Sequence, residues 1–449
     1  METTIQRLAR YAVSTGFDDL SPAAVHECKR RLVDAVACAA AAYDQAYCQR
    51  IRAFADLYAG KPAARVWGSG MQTSMEMAAF ANGTMVRYLD YNDTHLGRGA
   101  GHPSDMIPAL MATAEACRQD GRSLAAAIVV AYELFCGLCD APADPRAFDQ
   151  STCAAVGAAA GAGRLLGLDE AAMGHALSLA LASNVNLFNV RRGALSDWKG
   201  SAGANGARNG LFAALLARAG VTGPSDPVHG LGGLAELAGS IDWQAGSASI
   251  TKLELTHIKP RALCYHGQSA IDALLRLRPS VPLDAIAAIE VQTYESAFLA
   301  MGADPSRWAP TTRETADHSL PFTIASALLD GRIDLSTYAA ERFADPRIGA
   351  LMAKVQVTAA DEMTKAYPRC APARVTLRST SGQAWTRLQE FPPGHAANPI
   401  DDAELERKFF GAFAAWGGDA AAQRALGALW GIDRLDDVSR AVDSLSGIN

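Results

Sequence analysis

The sequence predicts a mainly helical protein in which a smaller α+β domain is inserted into a large all-helical domain. Three observations predict this fold class: apolar residues at helical spacing up to about residue 245, β-branched runs with partial alternation after about residue 250, and renewed helical spacing after residue 396. We therefore assign residues 1–248 and 397–449 to the helical domain and residues 249–396 to the α+β domain. A chain of 449 residues is long enough for two or three domains.

Helix-start signals and apolar spacing support the helical domain. In SPAAVHECKRRLVDAVACAAAAYD, Ser21 is a cap residue and Pro22 occupies the first turn. SLAAAIVVAYELFCGLC and DEAAMGHALSLALAS show the same apolar spacing, and the second contains His175, which we interpret as a packing histidine. The small residues of GAAAGAGRLLG favour close crossings between helices.

Five runs predict the strands of the α+β domain: ITKLEL, AIAAIEVQTY, KVQVTAAD, ARVTLRST and AWTRLQEF. TSGQ, between the last two runs, predicts a turn. GQSAIDALLRL and SLPFTIASALLDG predict helices between the strands, and DDAELERKFFGAFAAWGG predicts the helix with which the chain returns to the helical domain.

Composition and charge exclude several classes of protein. Apolar residues make up 49% and charged residues 20%, as in soluble globular proteins. The net charge of -6, with both signs interspersed, gives no basic patch for nucleic acid or an anionic membrane. The apolar run LAAAIVVAY is about half as long as a membrane span requires, and METTIQRLARYAV predicts a helix rather than a signal peptide. We expect a cytoplasmic protein.

The nine cysteines are scattered through alanine-rich segments, as expected for buried free thiols in a reducing compartment. Cys136 and Cys139 form a CxxC, but the sequence has no second pair at zinc-finger spacing and no surrounding βαβ pattern, so we predict two thiols on a packed helix. GxGxxG after a strand, GxxxxGK[ST], HExxH and GxSxG are also missing, so nucleotide-binding, zincin and α/β-hydrolase functions lack their motifs.

Residues 82–105, NGTMVRYLDYNDTHLGRGAGHPSD, concentrate acidic, histidine and glycine residues. If the segment around residues 86–94 is helical, Asp90 and Asp93 share one helix face, and the glycines that follow leave His102 on a loop. This arrangement would set carboxylates and an imidazole around one pocket. The alternative interpretation is that Asp93 makes local turn hydrogen bonds and that His95 is a surface residue.

Three further segments place basic residues just before predicted helices: FNVRRGALSDWKGSAGANGARNG, THIKPRALCYHGQSAIDALL and RETADHSLPF. Each alone is also compatible with helix capping and surface charge. Together they indicate an anionic ligand, whose binding the N-terminus of a helix can support. Metal binding by Asp90, Asp93, His95 and His102 is the weaker alternative, so we predict no metal.

Together the four segments resemble the MmgE/PrpD family, which includes 2-methylcitrate dehydratase, cis-aconitate decarboxylase and iminodisuccinate epimerase. NGTMVRYLDYNDTH followed by GHPSD is most similar to the 2-methylcitrate dehydratase branch, and the resemblance spans most of the chain. It implies an all-helical large domain with an α+β lid, a homodimer, and an active site at the junction of the two domains. It also implies catalysis without a metal or organic cofactor.

The resemblance, read with the charge pattern, assigns the site residues. The residues expected to be catalytic are Asp93, His102, Lys199 and His266, and those expected to bind substrate are Asp90, Arg191, Lys259, Gln268 and His318. Removing a proton next to a carboxylate creates an enolate-like dianion, so the site needs a base and cations. We expect His102 to be the acid or base, Asp93 to orient it or the substrate, and Lys199 and Lys259 to be the cations.

The chain departs from the family pattern at three places. Asp149 and Gln150 stand where a histidine is usual, Phe322 stands where tyrosine is frequent, and residues 261–264 replace a more usual tyrosine, proline and acidic residue. The identity of the substrate is therefore left open. The leading hypothesis is a cofactor-independent carbon–oxygen lyase of the dehydratase type acting on a small citrate-like polycarboxylate. The alternatives are a decarboxylase or epimerase of a related polycarboxylate, and a catalytically altered member with a different biosynthetic substrate or a binding role.

Overall fold

A computed structural model describes residues 2–193, 195–246 and 249–446. Helix accounts for 59% of the described residues and strand for 10%, which confirms the prediction of a mainly helical chain. The chain divides into two compact units: unit 1 comprises Met1–Arg191, Asp197–Ile258 and Asp401–Asn449, and unit 2 comprises Arg192–Ser196 and Lys259–Ile400. The domain boundaries at 248/249 and 396/397 remain predictions, and residue 248 lies outside the described residues.

Unit 1 is built from α-helices, several of which begin at polar cap residues. The predicted start at Ser21 is confirmed, because the Ser21 hydroxyl accepts a hydrogen bond from the backbone N–H of Ala24. The last long helix of the unit is kinked at Gly418, whose φ is 69°. The α-helices are Thr4–Ser14, Pro22–Ala42, Ala46–Asp56, Met75–Tyr88, Ile107–Ala116, Gly121–Asp140, Ser151–Leu165, Glu170–Ala182, Ala202–Arg218, Leu234–Ala238, Asp402–Trp430 and Ser439–Asp443.

Small residues allow the central helices of unit 1 to approach each other closely. The Ser151–Leu165 helix packs against both Gly121–Asp140 and Ala202–Arg218. A Cβ atom at Gly157 would lie 2.7 Å from the backbone oxygen of Ala131, so a side chain there would force these helices apart. This close approach confirms the helix crossing predicted from GAAAGAGRLLG.

The Gly121–Asp140 helix is buried in the core of unit 1. It is 20 residues long, about twice the apolar run that the sequence suggested, and its mean hydropathy of 1.7 suffices for a membrane span. However, 89% of its apolar stretch is buried inside the protein, as in the core helix of a soluble protein. Cys136 and Cys139 lie on this helix as buried free thiols, which confirms the interpretation of the CxxC.

Unit 1 also contains short elements that the sequence did not indicate. Two antiparallel hairpins pair Ala63–Arg65 with Gln72–Ser74 and His95–Leu96 with Ala100–Gly101. The prediction of a strand at ITKLEL was wrong, because Lys252–Leu255 forms a 3-10 helix after a Thr251–Glu254 capping box. The other 3-10 helices of the unit are Phe17–Asp19, Pro103–Met106, Phe188–Arg191, Asp197–Gly200 and Ile432–Arg434.

Unit 2 is organised around a four-stranded mixed sheet. The strands follow in the order Val355–Ala359, Ile286–Thr293, Ala373–Ser379 and Ala384–Gln389, so four of the five predicted strands are confirmed. The first pair is parallel and the other two pairs are antiparallel. The predicted TSGQ turn is closed by the backbone N–H of Ser379, which donates to the Gln383 carbonyl at 2.8 Å.

Helices pack against this sheet around one hydrophobic core, to which Ile271, Ile324 and Val375 contribute. The α-helices of unit 2 are Gln268–Leu277, Glu295–Met301, Arg313–Ala316, Leu320–Asp330, Pro346–Met352 and Asp361–Ala366. Its 3-10 helices are Tyr265–Gly267, Arg278–Ser280, Leu283–Ala285, Pro305–Trp308, Leu335–Tyr338 and Ala340–Ala344. The sequence therefore predicted the α+β character of this part of the chain correctly, whereas its action as a lid remains a prediction.

Candidate active site

The loop 89–94 follows the Met75–Tyr88 helix and carries two of the predicted site residues, Asp90 and Asp93. The helix ends at Tyr88, and Asp90 adopts a φ of 50°, in the left-handed region. A non-glycine residue in this conformation interrupts a right-handed helix. The prediction that Asp90 and Asp93 share a helix face was therefore wrong, and the two carboxylates face different partners.

The carboxylate of Asp93 is fully buried and is held by three protein groups. Its Oδ1 accepts a hydrogen bond from the Ser104 N–H at 3.0 Å, and its Oδ2 accepts one from the Tyr132 hydroxyl at 2.8 Å. The Nε atom of Arg31 lies 3.6 Å from the same Oδ2. Burial raises the pKa of Tyr132 well above its usual value, so this hydroxyl remains a donor. Asp93 thus anchors the loop from inside.

His102 follows the Ala100–Gly101 strand and is oriented by the same loop. Its Nδ1 lies 2.7 Å from the backbone oxygen of Asp93 and 3.0 Å from Oγ1 of Thr94. Because a carbonyl oxygen can only accept, Nδ1 carries the proton of the neutral imidazole, and the lone pair is on Nε2. The backbone oxygen of Asp93, rather than its carboxylate, therefore holds the His102 ring, and the roles of both residues in a reaction stay predictions.

Gln150 links His102 to a second buried carboxyl group, that of Asp105. The side-chain oxygen of Gln150 accepts a hydrogen bond from the His102 N–H at 3.1 Å, and its amide nitrogen donates to Asp105 at 3.2 Å. Asn92 donates to the other Asp105 oxygen at 3.0 Å. The sequence analysis noted Gln150 only as a departure from the family pattern, whereas the structure shows that its side chain holds the backbone of His102.

Asp105 is an ionisable residue of this cluster that the sequence analysis did not single out. Burial raises its pKa to about 6, although the positive charge of Arg87 and the bond from Gln150 act in the opposite direction. Gly203 faces it so closely that a Cβ atom there would lie 1.8 Å from an Asp105 oxygen. In the sequence, the only feature that could have marked Asp105 as a site residue is its position directly after His102, Pro103 and Ser104.

The structure brings together two predicted site residues, Lys199 and Asp90. Nζ of Lys199 lies 3.1 Å from Oδ2 of Asp90, and Nη1 of Arg87 lies 3.3 Å from its Oδ1. All three side chains are at most 2% exposed. Ionised, this group contains two cations and one carboxylate, held where little water weakens their interaction.

Arg191 is paired with Asp149 rather than with the Lys199–Asp90 group. Its Nε lies 2.8 Å from the Asp149 carboxylate, and its Nη1 donates to the backbone oxygen of Lys199 at 3.2 Å. Burial alone would raise the pKa of Asp149, but the charge and hydrogen bonds of Arg191 outweigh burial and lower it. Arg191 thus fixes the backbone that carries Lys199, while Asp149 neutralises its charge.

His95 belongs to a different, partly buried group. Its Nε2 lies 3.1 Å from Asp140, which also pairs with Lys252 at 3.2 Å. Burial acts to raise the pKa of Asp140, but these two partners lower it overall. The alternative interpretation of His95 as a surface residue was wrong, since the residue is only 5% exposed. Because His95 points to Asp140 and Asp93 points to Tyr132, these two residues of the alternative metal-binding set lie in separate groups.

In unit 2, Gln268 and His266 stand where the Tyr265–Gly267 turn meets the Gln268–Leu277 helix. The buried Gln268 amide donates to the backbone oxygens of Arg261 at 2.9 Å and of Leu263 at 3.3 Å. It therefore shapes the segment in which the sequence departs from the family pattern. Nδ1 of His266 lies 2.6 Å from the Tyr294 hydroxyl, a partner that the sequence analysis did not identify.

The remaining predicted residues of unit 2 are also in buried surroundings. Lys259 has no exposed surface. Nδ1 of His318 lies 2.5 Å from the carboxylate of Asp317, whose backbone oxygen accepts a hydrogen bond from the Cys264 N–H. Phe322 belongs to the hydrophobic core of unit 2 and lies 5.6 Å from Phe343, ring to ring. This departure from the family pattern therefore occupies a packing position.

Comparisons with known proteins agree with the resemblance. The chain is 27% identical to a 2-methylcitrate dehydratase of Cupriavidus necator over 365 residues, 74% of this chain and 73% of the relative. It is 25% identical to the 2-methylcitrate dehydratase of Escherichia coli K12 over 366 residues, 75% and 74% of the two chains. It is 23% identical to the cis-aconitate decarboxylase of Mus musculus over 415 residues, 87% and 82% of the two chains.

Matches to domain families cover most of both units. Residues 262–432 match the MmgE/PrpD C-terminal domain. Residues 6–243, more than half of the chain, match the MmgE/PrpD N-terminal domain. The chain therefore belongs to the MmgE/PrpD family, as the four sequence segments indicated.

Proposed function

We propose that the protein is a lyase of the dehydratase type that removes water from a small citrate-like polycarboxylate. The observation that carries the proposal is the bond between Nδ1 of His102 and the backbone oxygen of Asp93. This bond fixes the ring so that Nε2 carries the lone pair, and a neutral imidazole in this form is a suitable base near neutral pH.

In the proposed reaction, Nε2 of His102 takes a proton from the carbon next to a carboxylate. The electron pair of the broken C–H bond is first delocalised onto that carboxylate. It then forms the new C=C bond as the neighbouring C–O bond breaks, and the hydroxide leaves as water with the proton that Nε2 of His102 had taken. Negative charge grows on the carboxylate during the first step, and a fixed cation stabilises it. We assign this role to Lys199, which the buried Asp90 holds in place.

Within this proposal, the roles of His266 and Arg191 differ from the catalytic and substrate-binding roles predicted for them. Lys259 would supply a second cation, and His266 would donate a hydrogen bond to substrate oxygens. Arg191 would hold Lys199 in place by donating to the backbone oxygen of Lys199. Gln268 and His318 remain proposed substrate-binding residues. The proposal also includes a homodimer and no metal or organic cofactor, which the family resemblance implies, and the cytoplasmic location expected from the sequence.

A decarboxylase is the second candidate. It is supported by the cis-aconitate decarboxylase relative, whose match covers 87% of this chain, against 74% for the Cupriavidus necator dehydratase. A cation beside the carboxylate would stabilise charge in either reaction. The two reactions differ in the bonds that break. The dehydratase breaks a C–H and a C–O bond and releases water, whereas the decarboxylase breaks the C–C bond to a carboxylate, releases carbon dioxide and adds a proton to the carbanion left behind.

Proton NMR of the purified protein in deuterated water would test the proposal. The protein is incubated with 2-methylcitrate, citrate or cis-aconitate, and His102→Gln serves as the control. Formation of an alkene with loss of water in the wild type, and its absence in the variant, would support the dehydratase. Release of carbon dioxide would replace the dehydratase proposal by the decarboxylase. Uptake of deuterium without net loss of the compound would replace it by an epimerase. A folded protein that changes none of these compounds would contradict the proposed substrate class.

A further inference from the structure

We propose that Tyr294 is a positioning residue that holds His266 as a neutral imidazole with its proton on Nε2. His266 would then serve as a hydrogen-bond donor to substrate oxygens rather than as a cation or a base. The inference rests on the proposed function, which places His266 in the substrate site, and it adds a residue that neither the sequence segments nor the family resemblance had indicated.

The backbone brings the two side chains together from separate elements of unit 2. Tyr294 is the first residue after the Ile286–Thr293 strand and precedes the Glu295–Met301 helix. His266 lies on the Tyr265–Gly267 turn. The Tyr294 hydroxyl oxygen lies 2.6 Å from Nδ1 of His266, well within hydrogen-bonding distance, and the tyrosine is only 1% exposed.

Ring packing fixes the hydroxyl independently of His266. Tyr367 stacks on Tyr294 with ring centroids 4.5 Å apart and an angle of 12° between the ring planes. His266 meets the Tyr294 ring edge-on, at 5.5 Å and 64°. The stack leaves Tyr294 little rotational freedom, so the position of its hydroxyl is set by the fold rather than by the histidine.

The direction of the hydrogen bond follows from counting donors and acceptors. Within the described part of the chain, the Tyr294 hydroxyl makes a hydrogen bond to His266 alone. A buried O–H needs an acceptor, and at His266 the acceptor is the lone pair of an unprotonated Nδ1. The proton of the neutral ring is then on Nε2. An imidazolium would carry N–H at Nδ1 as well, and the tyrosine proton would lose its acceptor.

The surroundings of Tyr294 keep its hydroxyl neutral. Burial, followed by the neighbouring Tyr367, raises the pKa of Tyr294 well above its usual value, so the hydroxyl remains protonated. Burial likewise raises the pKa of Tyr265 and of Cys370. The titratable groups that act on Tyr294 are all of types that are uncharged at neutral pH: Tyr367, Tyr265, Cys264 and Cys370.

His266 and His102 would thus carry their protons on opposite nitrogens. A backbone oxygen holds the His102 proton on Nδ1, whereas a hydroxyl donor moves the His266 proton to Nε2. A neutral N–H in a fixed direction can stabilise an oxygen on which negative charge develops. In the proposed dehydration, that oxygen belongs to the substrate carboxylate or to the departing hydroxyl group.

Imidazole ¹⁵N NMR of the full chain, with labelled histidine, would test the inference. The His266 signals are assigned by their loss in His266→Gln. In the wild type at neutral pH, we expect an unprotonated Nδ1 and a protonated Nε2. In Tyr294→Phe, which keeps the stacked ring, we expect a mixture of the two tautomers. Tyr367→Phe, which keeps the hydroxyl of Tyr294, should leave the tautomer unchanged.

A proton on Nδ1 in the wild type would overturn the inference, even if the Tyr294 variant does not fold. So would an unchanged spectrum in Tyr294→Phe. Turnover separates this inference from the proposed function. If Tyr294→Phe changes the tautomer while His266→Gln keeps full turnover, Tyr294 positions His266 as inferred, but His266 has no part in the reaction.

Discussion

His102 and Asp93 are joined through a backbone oxygen, because the Nδ1–H of the imidazole points to the Asp93 carbonyl while the Asp93 carboxylate points to Tyr132. One residue thus performs two separate tasks: its backbone selects the His102 tautomer and its side chain anchors the loop. This division makes the chemical and the structural contributions of the loop separable by mutation.

Replacing His102 should remove the base. We expect His102→Gln to lower turnover by about 10³-fold, within the range found for general acid–base residues. The matched control is His175→Asn: Nδ1 of His175 accepts a hydrogen bond from the Gly223 N–H at 3.3 Å, and an asparagine oxygen can accept the same bond. The rate of alkene formation is the measurement, and a His102→Gln protein with turnover within tenfold of the wild type would contradict the assignment.

Replacing Asp93 should mainly reduce stability. Asp93→Asn removes the charge that faces the buried Arg31, which we expect to cost about 3 kcal/mol of unfolding free energy. Tyr132→Phe removes a single hydrogen bond to that carboxylate and should cost about 2 kcal/mol. Urea unfolding of both variants measures these costs. If Asp93→Asn is as stable as the wild type, the carboxylate is not the anchor described above.

Asp105 should make stability depend on pH. Its pKa rises from 3.8 to about 6 on folding, so the folded state binds the proton more tightly. The contribution of this protonation to the free energy of unfolding is roughly 3 kcal/mol. It is fully present below about pH 4 and is lost as the pH rises through about 6. Asp105→Asn cannot titrate, so we expect its unfolding free energy to rise by that amount relative to the wild type between pH 4 and pH 8. Parallel curves for the two proteins would contradict the raised pKa.

Lys199 and Asp90 should be energetically coupled. We expect a double-mutant cycle with Lys199→Met and Asp90→Asn to give a coupling of about 2 kcal/mol in urea unfolding, because each single change leaves a buried charge with a lost partner. The exposed pair Arg50–Asp197 offers a matched cycle in the same unit, and its coupling should stay below about 1 kcal/mol. Equal couplings in the two cycles would mean that burial does not strengthen the Lys199 pair.

Periodicity predicted the elements that are set by local sequence. The helix after Ser21 and the strands Ile286–Thr293 and Ala373–Ser379 were predictable because caps and alternation act within a few residues. A strand was wrongly predicted at ITKLEL because its β-branched first residues are typical of strands. The Thr251–Glu254 capping box in the same segment is a helix-start signal that the sequence already contains.

The sequence could propose residues for the candidate site, which stay predictions, but it could not predict the bonds between them. Spacing could not show that Asp90 enters the left-handed region, which separates the two aspartates. Tyr132 lies within an apolar helix, so the sequence alone predicts a core residue at this position. Its hydrogen bond to the Asp93 carboxylate is apparent only in the folded chain. Tyr294 is likewise joined to His266 across 28 positions, and no local pattern records that pairing.

Because Gly203 has no side chain and faces Asp105 closely, the residues tolerated at position 203 depend on the residue at position 105. The two positions are almost a hundred residues apart, yet any larger residue at 203 would occupy the space of the Asp105 carboxyl group. A map of tolerated amino acids should therefore show that position 203 accepts as few substitutions as the positions of site residues do, although glycine has no side-chain functional group. A descendant of this protein could accept alanine there only after Asp105 had changed, and the order of the two substitutions would be fixed by steric exclusion.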